Sequence, residues 1–220
     1  MKKHVLIVSS DTHSLVNFRS SLINHFIKSG HKVTALTPKE KYNENLNYEL
    51  KKLKNIGVEI HPYSLSRTGM NPFKDYFSYK SICKKITKLQ PDFIMAYTAK
   101  PVIYTGIALR NFPKINFFPF ITGVGYGFTD GAEVKRKIIR YLMIFLYKFG
   151  LRRAKTVIFQ NKDDKKLFIK LNLIFKNSKT AIVNGSGVDN KLFPFSLPSK
   201  KPIFLMLSRL LIDKGVREYA

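Results

Sequence analysis

The chain is short of acid. Its 220 residues hold 14 Asp plus Glu against 39 Lys plus Arg, a formal charge of +25. An anionic partner is expected: nucleic acid, phospholipid or a phosphorylated small molecule. Cysteine is nearly absent too. The single Cys83 rules out an internal disulfide and fits a reducing compartment. Long apolar runs are missing. The stretch 138–151 is broken by Arg140 and Lys148, and nothing approaches the roughly 20 apolar residues that a spanning helix requires. The opening MKKHVLIVSS is continuously apolar only from Val5 to Val8, too short for the apolar region of a secretory signal, and reads as a buried first strand. No GxGxxG follows that strand, so a dinucleotide cofactor is not expected. No His or carboxylate cluster has metal-ligand spacing, so no metal is expected either.

At 45% hydrophobic residues the chain can bury a full core. Short apolar runs alternate with longer amphipathic ones, the mark of a parallel sheet covered by helices. Strands are predicted over 5–10, 32–37, 58–63, 93–98, 115–120, 156–161 and 180–184, with helices over 15–28, 48–55, 73–89, 102–109, 132–154 and 163–171. The expected fold class is therefore α/β, a doubly wound Rossmann-like parallel sheet spanning residues 1–190. KLFPFSLPSKKP, 191–202, reads as a linker, and the apolar run 203–207 opens a second unit that reaches Ala220.

Ligands of doubly wound sheets sit outside the carboxyl ends of the strands, so the loops after strands carry the candidates. SDTHSLVNFR puts Asn17 and Arg19 in the first turns of a helix, near a positive dipole end that favours anions. His13 is there as well, as a cap or a base. In YTAKPVIYTG, Lys100 precedes a proline suited to a helix start and could meet a phosphate or carboxylate. ITGVGYGF offers Thr122 and glycines Gly123 and Gly125, where backbone can approach a ligand, with Tyr126 and Phe128 as stacking faces. GSGVDNKLF, with Gly185, Ser186, Gly187 and Asp189, should line a cleft where the linker begins.

The helix over 132–154 carries Lys135, Arg136, Lys137, Arg140, Lys148 and Arg152 around an apolar centre. Ile138, Leu142, Phe145 and Phe149 are expected to face the sheet. That leaves Tyr141, Ile144, Tyr147 and Leu151 as a second apolar set, to be covered by an anionic membrane surface or by a second domain.

Taken together, HSLVNFR, TAKPVIYTG, ITGVGYGF, VIFQNKDD, VNGSGVDNKLF and FLMLSRLLIDKGVREY resemble family 4 glycosyltransferases of the GT-B fold, of the capsule and O-antigen type. The resemblance runs in order across nearly the whole chain. It implies two Rossmann-like domains facing across a cleft, the first for the acceptor and the second for a nucleotide-sugar, here expected to be UDP-linked. In such enzymes the Arg and Lys of an S-R-L-x(4)-K-G stretch bind the donor diphosphate, and Arg209 and Lys214 match those positions. Two fixed cations would stabilise charge growing on the leaving diphosphate. The family looks retaining, with no protein nucleophile. Relatives often carry a histidine where this chain has Tyr97 and Thr122, so no catalytic histidine carries over. The acidic E-x(7)-E region that would contact the donor sugar is not within 1–220, so this stretch is expected not to transfer sugar alone.

The implied partners are a nucleotide-sugar, a polyprenyl-diphosphate-linked glycan and an anionic membrane surface, with the protein cytoplasmic and peripheral to the inner face of the membrane. A basic nucleic-acid-binding module and an inactive truncated remnant are the alternatives. Against the first, no helix-turn-helix, zinc-finger or aromatic sheet signature is present, and no nucleic-acid partner is expected.

Overall fold

A computed structural model describes residues 1–40, 43–67, 69, 71–125, 128, 134–175, 177–191, 193–208, 210 and 215–220, with Lys135 as backbone only. The chain divides into two compact units, Met1–Ser186 and Gly187–Ala220. In the first, strands β1 (His4–Val8), β2 (Lys32–Pro38), β3 (Glu59–Tyr63), β4 (Phe93–Tyr97), β5 (Asn116–Ile121), β6 (Val157–Phe159) and β7 (Thr180–Ile182) alternate with helices α1 (Thr12–Lys28), α2 (Glu44–Asn55), α3 (Pro72–Leu89), α4 (Ala99–Ala108), α5 (Val134–Leu151) and α6 (Lys162–Lys170). The strands form one sheet in the order β3-β2-β1-β4-β5-β6-β7, and every pairing is parallel. The doubly wound fold expected from the alternating runs is the one found.

Burial on both faces explains why the strands read as continuous apolar runs rather than alternating ones. Leu6, Val8, Ile94, Ala96, Phe117 and Phe159 point to one face, where Ile82 and Ile86 of α3, Val102 and Ile103 of α4, Tyr147 and Leu151 of α5 and Phe168 of α6 cover them. Val5, Ile7, Val33, Ala35, Met95 and Phe120 point to the other, under Leu15, Val16 and Ile23 of α1 and Leu53 of α2. Helix starts are set by short polar side chains that accept a free backbone N–H of the first turn. Asp11, Asn43, Asn71 and Asn161 cap α1, α2, α3 and α6 in this way. Asp11 starts α1 at Thr12, three residues before the predicted start.

The α5 facing differs from the expected one, although Tyr141 is exposed as expected. Ile138 is 62% exposed, Phe145 56% and Leu142 41%, while Tyr147 is 1% exposed and Leu151 is buried. Tyr147 is therefore not membrane-facing: its ring packs edge-on against Phe168 at 5.1 Å and beside Phe128 at 6.4 Å. Phe128, expected as a stacking face for a ligand, is buried in the same cluster. The reason lies in two glycines. A Cβ on Gly106 of α4 would stand 1.7 Å from the Gly150 carbonyl oxygen, and one on Gly150 would stand 2.8 Å from the Ile103 Cα. The two backbones touch, so the face of α5 bearing Gly150, Tyr147 and Leu151 must be the inner one.

In the second unit the run 203–207 is not a strand: no ladder pairs it, and Ile203, Phe204, Leu205 and Leu207 are exposed. An apolar run becomes a strand only when a neighbour takes its backbone groups, and none of the described residues does. Helix α7 (Val216–Tyr219) follows, and the Tyr219 hydroxyl donates to the Phe204 carbonyl at 2.8 Å.

Candidate functional site at the carboxyl edge of the sheet

At the start of α1 the helix's own anion-attracting end is filled by protein carboxylates. The Thr12 N–H and hydroxyl both donate to Glu40 Oε1 at 3.0 Å, and the Ser14 N–H donates to Asp11 Oδ1 at 2.6 Å. Arg67 lies 3.4 Å from Asp11. Two of the first-turn N–H groups that could meet a phosphate are therefore already taken by carboxylates. Asn17 is exposed and donates to the His13 carbonyl at 3.1 Å. The His13 ring sits 2.6 Å from Glu49 of α2.

Arg19 does something different from a solvated cation. It is 8% exposed, with its guanidinium 4.2 Å from the Tyr97 ring centre and 5.7 Å from that of Phe120. Those two rings stack at 4.8 Å. Nη1 donates to the Ser186 hydroxyl at 2.6 Å and to the Phe18 carbonyl at 2.9 Å, and Gln160 Nε2 reaches Ser186 at 3.4 Å. One cation thus joins α1, β4, β5, the end of β6 and the segment after β7. Burial lowers the Arg19 pKa, but a guanidinium stays charged, held by the ring faces. Burial pushes the Tyr97 hydroxyl up to about 12, against the opposing pull of Arg19, so the phenol is neutral at physiological pH.

Beside this node two side-chain hydroxyls are unsatisfied. The Tyr97 and Thr98 hydroxyls are buried with no hydrogen-bond partner. Unpaired buried hydroxyls are costly and call for an explanation. Thr98 also has φ 70° and ψ 163°, a backbone region that is essentially glycine's and that strain at functional sites often occupies. Sequence reading found Arg19 and Ser186 but missed the Thr98 strain, Phe120 and Gln160. It treated Tyr97 only as the place of an absent histidine. Only the position of these residues at strand ends could have pointed to them.

Lys100 is not available for a ligand phosphate. Its ammonium donates to Asp75 Oδ1 and to the Ser66 carbonyl, each at 2.7 Å, so its charge ties α4 to α3 and to the segment after β3. After β5, Thr122 is half-buried, and Gly123 and Gly125 are exposed with φ of 147° and 77° and open space around the missing Cβ. Backbone amides there are reachable without side-chain hindrance. Gly185 and Ser186 are exposed at the end of the first unit; Gly187 and Asp189 are exposed in the second, where Asp189 Oδ1 accepts the Lys191 N–H at 2.9 Å. Tyr126, Arg209, Lys214 and the Lys135 side chain lie outside the described residues.

The outer face of α5 is apolar along its length. Val134, Ile138, Tyr141, Leu142 and Phe145 are exposed at spacings of three and four residues, one stripe of a helix. Lys137 and Lys148 are exposed at its margin, and Arg136 and Arg140 are half-buried. Arg152 is exposed past the helix end, beside Arg153 and Lys155 at the amino edge of the sheet. Among the described residues no helix is long and apolar enough to cross a membrane.

A doubly wound unit with helices on both faces, a glycine-opened loop after β5 and a polar node at its carboxyl edge is the Rossmann-like half of the GT-B architecture. The chain belongs to the Glycosyl transferase 4-like family, whose model matches residues 4–161. It is 27% identical over 221 residues to the N,N'-diacetylbacillosaminyl-diphospho-undecaprenol alpha-1,3-N-acetylgalactosaminyltransferase of Campylobacter jejuni, with 94% of this chain covered. The chain spans about half, 56%, of the length of that relative. Among solved structures, sucrose-phosphate synthase from Thermosynechococcus elongatus superposes with a TM-score of 0.59 at 12% identity, over 87% of this chain and 50% of the other. UDP-N-acetylglucosamine 2-epimerase from Rickettsia bellii does so with 0.54 at 13%, over 84% and 46%. Transferases and epimerases share the fold, so the fold alone does not choose between them.

Proposed function

We propose that the protein is a retaining glycosyltransferase that moves a sugar from a UDP-linked donor to a polyprenyl-diphosphate-linked glycan at the inner face of a bacterial membrane. The observation that carries this reading is the family match over residues 4–161, joined by a curated relative that acts on a diphospho-undecaprenol-linked substrate. Residues 1–190 would form the acceptor side. There the Arg19–Tyr97–Phe120–Ser186 node holds the strand ends in place. Arg209 and Lys214 would clamp the donor diphosphate and stabilise the charge that develops as it leaves. Catalysis would then rest on positioning and leaving-group electrostatics, with the acceptor hydroxyl attacking on the face the diphosphate leaves. The reading expects no transfer from these 220 residues by themselves.

The exposed stripe of α5, apolar with cations at its margins and ends, suits a helix lying on an anionic lipid surface. A nucleic-acid partner would use the cations and leave the apolar stripe without a role.

Deletion of the gene tests the proposal. Mass analysis of lipid-linked glycans should show an intermediate one sugar short of the mature form, restored by the intact gene. Restoration by a gene carrying Arg209→Ala together with Lys214→Ala would sink the diphosphate clamp. An unchanged lipid-linked pool would sink the whole assignment.

A further inference from the structure

Helix α3 carries an exposed surface that the reading above does not use. Phe73, Tyr76 and Phe77 are 79%, 52% and 62% exposed. They are spaced three and four residues apart and continue in line into Lys80 and Lys84, both exposed. Three large aromatics in water on one helix are not needed for folding: the inner face of α3 is already supplied by Ser78, Ile82 and Ile86, all buried. Lys80 Nζ lies 5.3 Å from the Tyr76 ring centre, an aromatic body with a cationic tip.

The position of this surface is fixed by the packing. Helix α4 is buried along almost its whole length and packs against α3 on one side and α5 on the other. Both outer helices precede strands of an all-parallel sheet, so they run in the same direction with their first turns at the same end. With helix spacings of about 8–10 Å, their axes lie roughly 20 Å apart. The aromatic first turns of α3 and the apolar stripe of α5 therefore project from one helix layer.

Along α3, α4 and α5 the charge has one sign; the carboxylates of that layer, Asp163 and Asp164, lie beyond them on α6. Helix α3 has five lysines and α5 five Lys plus Arg. The only carboxylate among the described residues of α3, α4 and α5 is Asp75, and Lys100 neutralises it at 2.7 Å. Aromatics with an apolar stripe, set among unopposed cations, match the boundary of an anionic bilayer, where rings sit at headgroup depth and lysines reach the phosphates.

We propose that α3 is a second lipid-contacting helix, and that Phe73, Tyr76 and Phe77 enter the bilayer boundary in the same plane as Val134, Ile138, Tyr141 and Phe145 of α5. This rests on the lipid-surface reading of α5. It adds an orientation. Two parallel helices resting on lipid hold the strands parallel to the membrane, so the carboxyl edge of the sheet, with Tyr97 and Thr98, opens sideways along the headgroups. A lipid-linked diphosphate would reach that edge without leaving its bilayer.

The chain contains no tryptophan, so a single introduced Trp reports on its own site. Three variants are compared: Phe77→Trp on α3, Tyr141→Trp on α5 and Tyr48→Trp on α2, across the sheet. Each is mixed with vesicles of phosphatidylcholine with or without phosphatidylglycerol, some with brominated acyl chains. The proposal expects Phe77→Trp and Tyr141→Trp to shift to shorter emission wavelength and to be quenched by the brominated chains, only with phosphatidylglycerol present, and Tyr48→Trp to stay unchanged. Phe73→Ser, Tyr76→Ser and Phe77→Ser combined should lower the vesicle partition coefficient about tenfold or more, with an unaltered circular dichroism spectrum.

A response at Tyr141→Trp with none at Phe77→Trp would overturn the role of α3 and leave the α5 reading standing. No response at either would overturn both. A response at Phe77→Trp alone would overturn the shared plane. A Phe77→Trp signal that follows added RNA and ignores vesicles would overturn the lipid assignment.

Discussion

The two helix layers flank the same sheet with equally apolar inner faces, yet their outer faces differ. On the side of α1 and α2 the exposed large apolar residues are Phe18 and Tyr48, and carboxylates are present: Asp11 and Glu40 fill the start of α1, and Glu44 and Glu49 lie on α2. On the other side, α3 and α5 alone carry eight such residues, Phe73, Tyr76, Phe77, Val134, Ile138, Tyr141, Leu142 and Phe145, and the one described carboxylate of α3, α4 and α5 is internally paired. Folding requires only the inner faces. The difference outside is therefore the part of the sequence that answers to a partner.

Helix α5 makes the contrast sharpest, because it has two apolar faces and only one is structural. Truncating the inner one, as Tyr147→Ala, or its neighbour Phe168→Ala, should cost about 3–5 kcal/mol of stability in urea denaturation. Tyr141→Ala on the outer face should stay within roughly 0.5 kcal/mol. Equal losses would erase the distinction. Next in size, Gly150→Ala places a methyl group against the Ile103 backbone and should cost about 1–3 kcal/mol or more, since neither backbone can yield cheaply.

Asp75→Asn tests whether the pair with Lys100 is structural. It keeps an oxygen that can accept from Lys100 but removes the charge that neutralises a largely buried ammonium, and should lower stability by roughly 1–3 kcal/mol, seen as a lower thermal midpoint; no change would return Lys100 to the list of ligand cations. The smallest effect belongs to the other side of the sheet. Hydrogen bonds from Lys32 and His61 lower the Glu59 pKa to about 2 from its ordinary 4.5. Its contribution is complete above about pH 4.5 and is lost as pH falls through about 2. Glu59 is partly exposed, so Glu59→Gln should remove under about 1 kcal/mol at neutral pH and flatten that acid limb.

The sheet was legible because runs such as VLIV and FIMAY are apolar at every position, which only burial on both faces explains. The facing of α5 was not. Two apolar stripes on opposite sides of one helix share the 3.6-residue period, and periodicity cannot say which meets the sheet. Gly150 held the answer, since the inner face is the one that tolerates backbone contact, but its partner Gly106 lies 44 residues earlier in sequence. Lys100 looked like a ligand cation for a related reason: Asp75, 25 residues away, becomes its neighbour only once α3 and α4 pack. Arg19 was correctly placed at the carboxyl edge, but its burial against Tyr97 and Phe120 depends on strand order, which no local pattern encodes. The apolar run 203–207, of strand length but unpaired among the described residues, shows the same limit, for pairing is a property of neighbours and not of the run itself.

The most direct measurement is transfer itself. The whole gene product, bound to phosphatidylglycerol-containing vesicles that carry a polyprenyl-diphosphate-linked glycan, is given radiolabelled UDP-sugars, and the lipid and water phases are separated. The account predicts label in a lipid product one sugar longer, formed faster on vesicles than in detergent. Label that stays in the water phase as an altered UDP-sugar, with no longer lipid product, would contradict it.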